Sequence, residues 1–142
     1  MAGVTSVAFA PDGVHAVTGS GMTWSHEERK LVVGTDNTVR LWDLANGDEV
    51  RRFAGHDNWV NSVAVSPDGK RILSGGGGHI EKDGRWTAGE ENSIRLWGLR
   101  SGEEIRRFPT NDAPVRSVAF SPDGGFALSR GDDGLVYLWR LP

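Results

Sequence analysis

Three times along the chain an alternating apolar run ends in the same tight-turn chemistry. The runs are Val4-Thr5-Ser6-Val7-Ala8-Phe9, Val60-Asn61-Ser62-Val63-Ala64-Val65 and Val115-Arg116-Ser117-Val118-Ala119-Phe120. Alternation of this kind places one row of side chains on each face of a strand, here called strand a. A Pro-Asp-Gly triplet follows each run, at Pro11, Pro67 and Pro122. Proline presets φ and glycine accepts the left-handed region, so the chain is predicted to turn back into a second strand, b. Strand b covers Val14 to Thr18, Lys70 to Ser74 and Gly125 to Ser129. Further on, Thr38-Val39-Arg40-Leu41-Trp42, Ser93-Ile94-Arg95-Leu96-Trp97 and Leu135-Val136-Tyr137-Leu138-Trp139 form strand c, with aliphatics on one face and tryptophan on the other. After Asn46-Gly47 and Ser101-Gly102 come Glu49 to Phe53 and Glu104 to Phe108, a strand d whose paired arginines suit an outer edge. No segment sustains a 3.6-residue period, so no helix is expected.

The chain is thus three copies of one unit. Pro67 lies 56 residues after Pro11 and Pro122 lies 55 after Pro67, a spacing that points to blades or arrays rather than to a single core. The turn triplets and the Leu41-Trp42, Leu96-Trp97 and Leu138-Trp139 pairs resemble the WD-repeat β-propeller family over essentially the whole chain. That resemblance implies an all-β fold of four-stranded antiparallel blades packed side by side around a channel. The expected units are 1–59 with an inserted b–c hairpin at about 21–34, 60–114 with an inserted b–c hairpin at about 77–89, and 115–142, which lacks its outer strand.

The resemblance also implies a structural tetrad of His, Ser/Thr, Asp and Trp in each blade. In the second unit the matching positions are His56, Ser74, Glu91 and Trp97, with Glu91 in the place of Asp. The first unit offers Thr18, Asp36 and Trp42, and the third offers Ser129, Asp133 and Trp139 with Asn111 where His would stand. Such a set satisfies buried polar atoms: the indole N–H donates to the hydroxyl, the hydroxyl to imidazole, and imidazole to the carboxylate. A Ser-His-acid trio invites comparison with a hydrolase triad, but no G-x-S-x-G elbow accompanies it. The expectation is a scaffold, not a catalytic site.

Two features depart from the family pattern. From Pro to Trp the first two units run 31 and 30 residues and the third only 17, so the first two carry insertions of 14 and 13 residues between strands b and c. In the second, Glu81-Lys82-Asp83-Gly84 is turn chemistry flanked by His79-Ile80 and Arg85-Trp86, which predicts a β-hairpin. In the first, Met22-Thr23-Trp24 can pair with Leu31-Val32-Val33. Gly75 to Gly78 is read as a flexible hinge into the hairpin, because no Lys-Ser/Thr follows it as a phosphate loop requires. The resemblance puts these hairpins on the face most used for partners, which makes Trp24, Trp59, His79, Arg85 and Trp86 candidate partner-binding residues. An alternative is that the hairpins pack together and bury their rings. His26, Glu27 and Glu28 with His79, Glu81 and Asp83 show no metal-ligand spacing and read as solvated polar hairpins.

The second departure is the missing strand d of the third unit, which stops at Leu141-Pro142. An arc of three blades leaves two end faces of roughly 300 Å² each. Mating two would hide roughly 600 Å², worth on the order of 10 kcal/mol as an upper bound. The chain is therefore expected to close by self-association, as a homodimer of six blades or a homotrimer of nine, or to be a piece of a longer ring.

Composition narrows the functional classes. Sixteen Lys and Arg against 19 Asp and Glu, for a net charge of −3, give no basic footprint for nucleic acid. No apolar stretch approaches a membrane span, and no secretion signal opens the chain, so a cytoplasmic protein is the default expectation. The absence of cysteine excludes disulfides and thiolate chemistry. Twenty glycines in 142 residues fit a turn-rich sheet protein. The leading reading is a non-catalytic scaffold presenting a face to a protein or peptide, with no metal or cofactor expected. A small-ligand-binding propeller, and a structural, engineered or fragment assembly unit with no ligand of its own, are the competing readings.

Overall fold

A computed structural model describes residues 3–33, 36–89, 91–110 and 113–142. All regular structure in it is β. The first blade is an antiparallel sheet of β1 (Gly3–Phe9), β2 (His15–Ser25), β4 (Val39–Asp43) and β5 (Glu49–Phe53) in that order, with β3 (Lys30–Val33) paired to the far end of β2. The second orders β6 (Val60–Val65), β7 (Arg71–Gly76), β10 (Ser93–Gly98) and β11 (Glu104–Pro109) in the same way. The third holds three strands, β12 (Val115–Phe120), β13 (Phe126–Gly131) and β14 (Val136–Arg140). A separate two-stranded sheet pairs β8 (His79–Lys82) with β9 (Arg85–Ala88).

The Pro-Asp-Gly turns work as their chemistry requires. Gly13, Gly69 and Gly124 take φ near +72° (74, 71 and 72), a region that costs other residues strain. Each aspartate then accepts the backbone N–H two residues on: Asp12 from Val14 at 2.9 Å, Asp68 from Lys70 at 3.0 Å and Asp123 from Gly125 at 2.9 Å. These bonds, with side-chain bonds from His15, Ser66 and Ser121 respectively, hold all three carboxyls below their ordinary value.

Strand a is not a plain alternating strand. A register shift falls between Val4 and Ser6, between Val60 and Ser62, and between Val115 and Ser117. This bulge brings valines three positions apart onto one face, and Val60 with Val63, and Val115 with Val118, are buried together.

The apolar cores lie between blades, not within them. One joins Val17, Val39, Leu41 and Phe53 of the first blade to Val60, Val63, Ile72, Trp97 and Leu99 of the second. The other joins Leu73, Ile94, Leu96 and Phe108 of the second to Val115, Val118, Ala127 and Leu141 of the third. A polar ladder repeats at both joints along the inner strands. Val63 N donates to Ser6 Oγ and Val118 N to Ser62 Oγ, each at 3.1 Å. Thr5 Oγ1 donates to the Val60 carbonyl, and Asn61 Nδ2 to the Val115 carbonyl at 2.9 Å.

Both insertions are hairpins. Strand β2 runs straight out of the first blade, pairing Met22 with Val33 and Ser25 with Lys30. In the second insertion Asp83 and Gly84 both take positive φ, 54° and 74°, the two-residue turn whose twist matches flanking antiparallel strands. The glycine run before it is not a hinge. Gly75 to Gly78 are buried, and a Cβ would lie 2.6 Å from Val115 Cγ1 at Gly75, 2.7 Å from His56 Nδ1 at Gly76 and 2.9 Å from the Trp59 ring at Gly78. These glycines are there because side chains and backbone from the d–a loop and the next blade occupy the space. Gly77 and Gly89 are further tied by backbone bonds to the Trp59 carbonyl at 2.9 Å and the Gly78 carbonyl at 2.7 Å.

Candidate functional site

The second blade carries a buried polar chain running from strand c to strand b to the d–a loop. Trp97 Nε1 donates to Ser74 Oγ at 2.8 Å, and Ser74 Oγ lies 2.7 Å from His56 Nε2. His56 Nδ1 faces Glu91 at 3.4 Å. With the indole donating to Ser74, the hydroxyl gives its own proton to Nε2, and Nδ1 then carries the hydrogen that points at the carboxylate. Every one of these residues is buried. Glu91 also accepts from Ser93 Oγ and from Arg95 Nη2, the latter at 3.2 Å, with Arg107 at 3.6 Å. Burial alone would push the Glu91 carboxyl up, but His56, Ser93 and Arg95 outweigh it and hold it down to about 2. The network is therefore anionic at Glu91, and its hydroxyl both accepts from the indole and donates to the imidazole. Ser74 is fully buried, so its hydroxyl has no open face from which to attack a substrate.

The flanking blades hold parts of the same arrangement. In the first, Trp42 Nε1 donates to Thr18 Oγ1 at 2.9 Å, while Asp36 accepts from Thr38 Oγ1 at 2.5 Å and from Arg40. Thr38 and Arg40 thus repeat the grip of Ser93 and Arg95 on Glu91. In the third, Trp139 Nε1 donates to Ser129 Oγ at 2.8 Å, and exposed Asp133 accepts from Tyr137 Oη at 2.8 Å and from Leu135 N at 3.0 Å. Asn111 lies outside the described residues.

On the hairpin face the expected residues separate. Trp59, one of the candidate partner-binding rings, is 8% exposed and packs over Gly78. Its burial follows from the missing side chain at Gly78, which leaves a slot for the indole. Buried Asn58 and Asn92, which carry no motif, lie at the hairpin base: Asn58 Oδ1 accepts from Trp59 N at 2.8 Å, and Asn92 Nδ2 donates to the Gly89 carbonyl at 2.8 Å. The bonds themselves are local, but the glycines packed against these side chains, Gly78 and Gly89 at Asn58 and Gly77 at Asn92, come to them from the hairpin base and leave no local signature. His79 is half-buried and leans toward the third blade, 3.4 Å from Arg116 Nη2 and 3.7 Å from Asp132 Oδ2. Arg116 grips Asp132 through Nε at 2.8 Å and Nη2 at 2.5 Å, which raises the Arg116 pKa and lowers that of Asp132. Arg85 is exposed at the tip beside Asp83 and Gly84, as are His26 to Arg29 at the other tip. The side chains of Trp24, Trp86 and Glu81 lie outside the described residues. Among the described residues no three His, Cys, Asp or Glu side chains gather as a metal site requires.

A cavity of about 680 Å³ opens between the first two blades at the a–b turn end, between Pro11-Asp12 and Pro67-Asp68 and above Leu41 and Leu99. At the second joint the matching place is taken by Arg71, whose guanidinium donates to the carbonyls of Gly124 at 2.6 Å and Pro142 at 2.8 Å. His15 stands in the Arg71 position of the first blade, is too short to cross, and is held back by Asp12 at 2.7 Å.

Repeated antiparallel sheets that bury their apolar faces only against one another, with a Trp-hydroxyl bond in each, define an array of propeller blades. The chain belongs to the WD40 family (WD domain, G-beta repeat), whose model matches residues 2–43, 47–98 and 102–140. Among curated relatives, it is 34% identical over 108 residues to the nuclear distribution protein PAC1 of Arthroderma otae, covering 75% of this chain and 22% of that protein. It is 27% identical over 143 residues to protein HIR1 of Candida albicans, covering 96% of this chain and 14% of the relative. With the human serine-threonine kinase receptor-associated protein it shares 26% over 144 residues, 82% of this chain and 41% of that protein. The chain therefore spans less than half the length of these relatives. No helix among the described residues is long and apolar enough to cross a membrane.

Proposed function

We propose that this chain is a non-catalytic WD-repeat scaffold that engages a protein or peptide on its hairpin face and assembles from three-blade units, as a six-bladed dimer or a nine-bladed trimer. The observation that carries the scaffold reading is the chain Trp97, Ser74, His56, Glu91: each of its polar groups is buried and bonded to the next. Assembly is supported by the open faces at the two ends of the array. Val4, Val7 and Phe9 on one side, and Leu128, Val136 and Leu138 on the other, are exposed where their counterparts in the second blade lie in a joint. An apolar exposure of this extent marks an interaction surface.

For recognition, the tips are the accessible part: Arg85 on the second hairpin and the segment from His26 to Arg29 on the first. The glycine-rich base and His79 belong to the packed scaffold, and Trp59 supports the hairpin from beneath. Replacing residues 80–87 by a two-residue turn keeps that base and removes only the tip. The shortened protein is expected to retain its β-sheet circular dichroism and assembly mass while losing a partner that the full chain captures. A partner held equally by both forms would overturn the placement on the hairpins.

A further inference from the structure

Both covered blade faces have glycine at the same place. Gly19 and Gly75 each follow the hydroxyl residue of strand b and pair with Ser6 and Ser62 of strand a. A Cβ at Gly19 would stand 2.7 Å from Val60 Cγ1 and 3.1 Å from Val63 Cγ1, and one at Gly75 would stand 2.6 Å from Val115 Cγ1 and 2.9 Å from Val118 Cγ1. Neither position can carry a side chain while the two valines of the next blade are seated. The third blade has Arg130 there: it follows Ser129, pairs with Ser117 and is exposed.

The rest of that face repeats the pattern. Leu128 stands where Val17 and Leu73 stand, Val136 where Val39 and Ile94 stand, and Leu138 where Leu41 and Leu96 stand. At the opposite end Val4 and Val7 occupy the places of Val60 and Val63 relative to the same bulge, and Val7 is 71% exposed where Val63 is 6%. Over the three strands that the third blade has, the two open faces are therefore complementary in register save at Arg130; the phenylalanine that strand d brings to each covered joint has no counterpart there.

We infer that Arg130 is the specificity-determining residue of the joint between copies: it obstructs β1 of a second copy from seating Val4 and Val7 on the third blade as Val60 and Val63 seat on the first. The occupant, a second copy, rests on the self-assembly reading above, whereas the obstruction is a property of the face itself. A single joint of roughly 600 Å² is below the roughly 1,200 Å² of a stable complex, and two joints in a closed pair only reach it. One misplaced Cβ in each joint then decides how tightly copies associate. The far end of an arginine can swing aside, but its Cβ cannot, so alanine is also obstructive and only glycine restores the fit.

Sedimentation velocity over a concentration series on the wild-type chain, R130A, R130G and R130G/V7R tests this, with circular dichroism to verify the fold. R130G is expected to lower the self-association Kd by about tenfold or more, the scale of relieving an overpacked contact. R130A is expected to fall well short of R130G, and V7R in the R130G background to return the chain to monomer. A wild type that stays monomeric while R130G associates would remove the self-assembly reading and leave the inference standing. R130G no tighter than wild type, R130A equal to R130G, or R130G association that survives V7R would each overturn the inference.

Discussion

The second and third blades share a strand pattern and differ in their neighbours. Leu96 in the second is 0% exposed, while Leu138, at the same place in the third, is 66% exposed. Trp97 is fully enclosed and its hydroxyl partner Ser74 meets an imidazole, whereas Trp139 is half-buried and Ser129 bonds the indole without one. In this fold a blade has no interior of its own, and it becomes a core element only when a sheet lies against each face. Strand chemistry decides which residues are able to be buried, and the adjoining blade decides which are.

The largest test of that contrast removes the same side chain from each blade. Leu96→Ala is expected to destabilise by about 2–5 kcal/mol, the range for a truncated core leucine. Leu138→Ala, measured by urea unfolding at a dilution that keeps copies apart, is expected to cost less than about 1 kcal/mol. Equal costs would mean that the third blade is packed as the second is.

A smaller difference is expected from the polar chain. Ser74→Ala strands both the Trp97 indole and His56 in a dry site, and His56→Ala strands Ser74 and Glu91, for about 1–3 kcal/mol each. Ser129→Ala leaves the indole of Trp139 within reach of water, so the cost stays below about 1 kcal/mol. An activity or ligand lost on His56→Ala with stability unchanged would contradict a structural role for the chain.

The same site sets a pH dependence through its buried carboxyl. The Glu91 carboxyl is held down from 4.5 to about 2 in the fold. In the unfolded chain it takes up its proton near 4.5, so between these values the unfolded state binds more protons and acid favours unfolding. Its contribution is complete above pH 4.5 and is lost as pH falls toward 2. Glu91→Gln is expected to lower stability at neutral pH and to flatten that part of the profile in unfolding curves taken from pH 7 to 2. The smallest effect belongs to the hairpin tip: Arg85→Ala is expected to leave thermal stability within about 0.5 kcal/mol of wild type, since its exposed side chain lies beyond the glycine base.

The strand order was legible because each turn announces itself locally. Pro-Asp-Gly closes a–b, Asp83-Gly84 closes the second hairpin, and the bonds that shape them lie within a few residues. What depended on distant partners was read less well. The bulge in strand a is hidden by a run that alternates well enough to pass as plain β, although the buried pairs Val60 with Val63 and Val115 with Val118 are three apart. Gly75 to Gly78 look permissive in isolation and are packed solid, because Val115, His56 and Trp59 come to them from elsewhere. The residues named from the family resemblance in the second blade lie together, but the support of Glu91 by Arg95 and the link from His79 to Arg116 and Asp132 have no local signature. Arg130 is plain in the sequence, yet its meaning emerges only when Gly19 and Gly75 are seen against valines.

Native-state hydrogen exchange read strand by strand tests most directly the claim that neighbours make the core. At high dilution the amides of β7 and β10 are expected to exchange only through global unfolding, and those of β13 and β14 through a cheaper local opening. Raising the concentration until copies associate is expected to slow exchange in β13 and β14 and leave β7 and β10 unchanged. Equal protection of the two blades at every concentration would contradict the account.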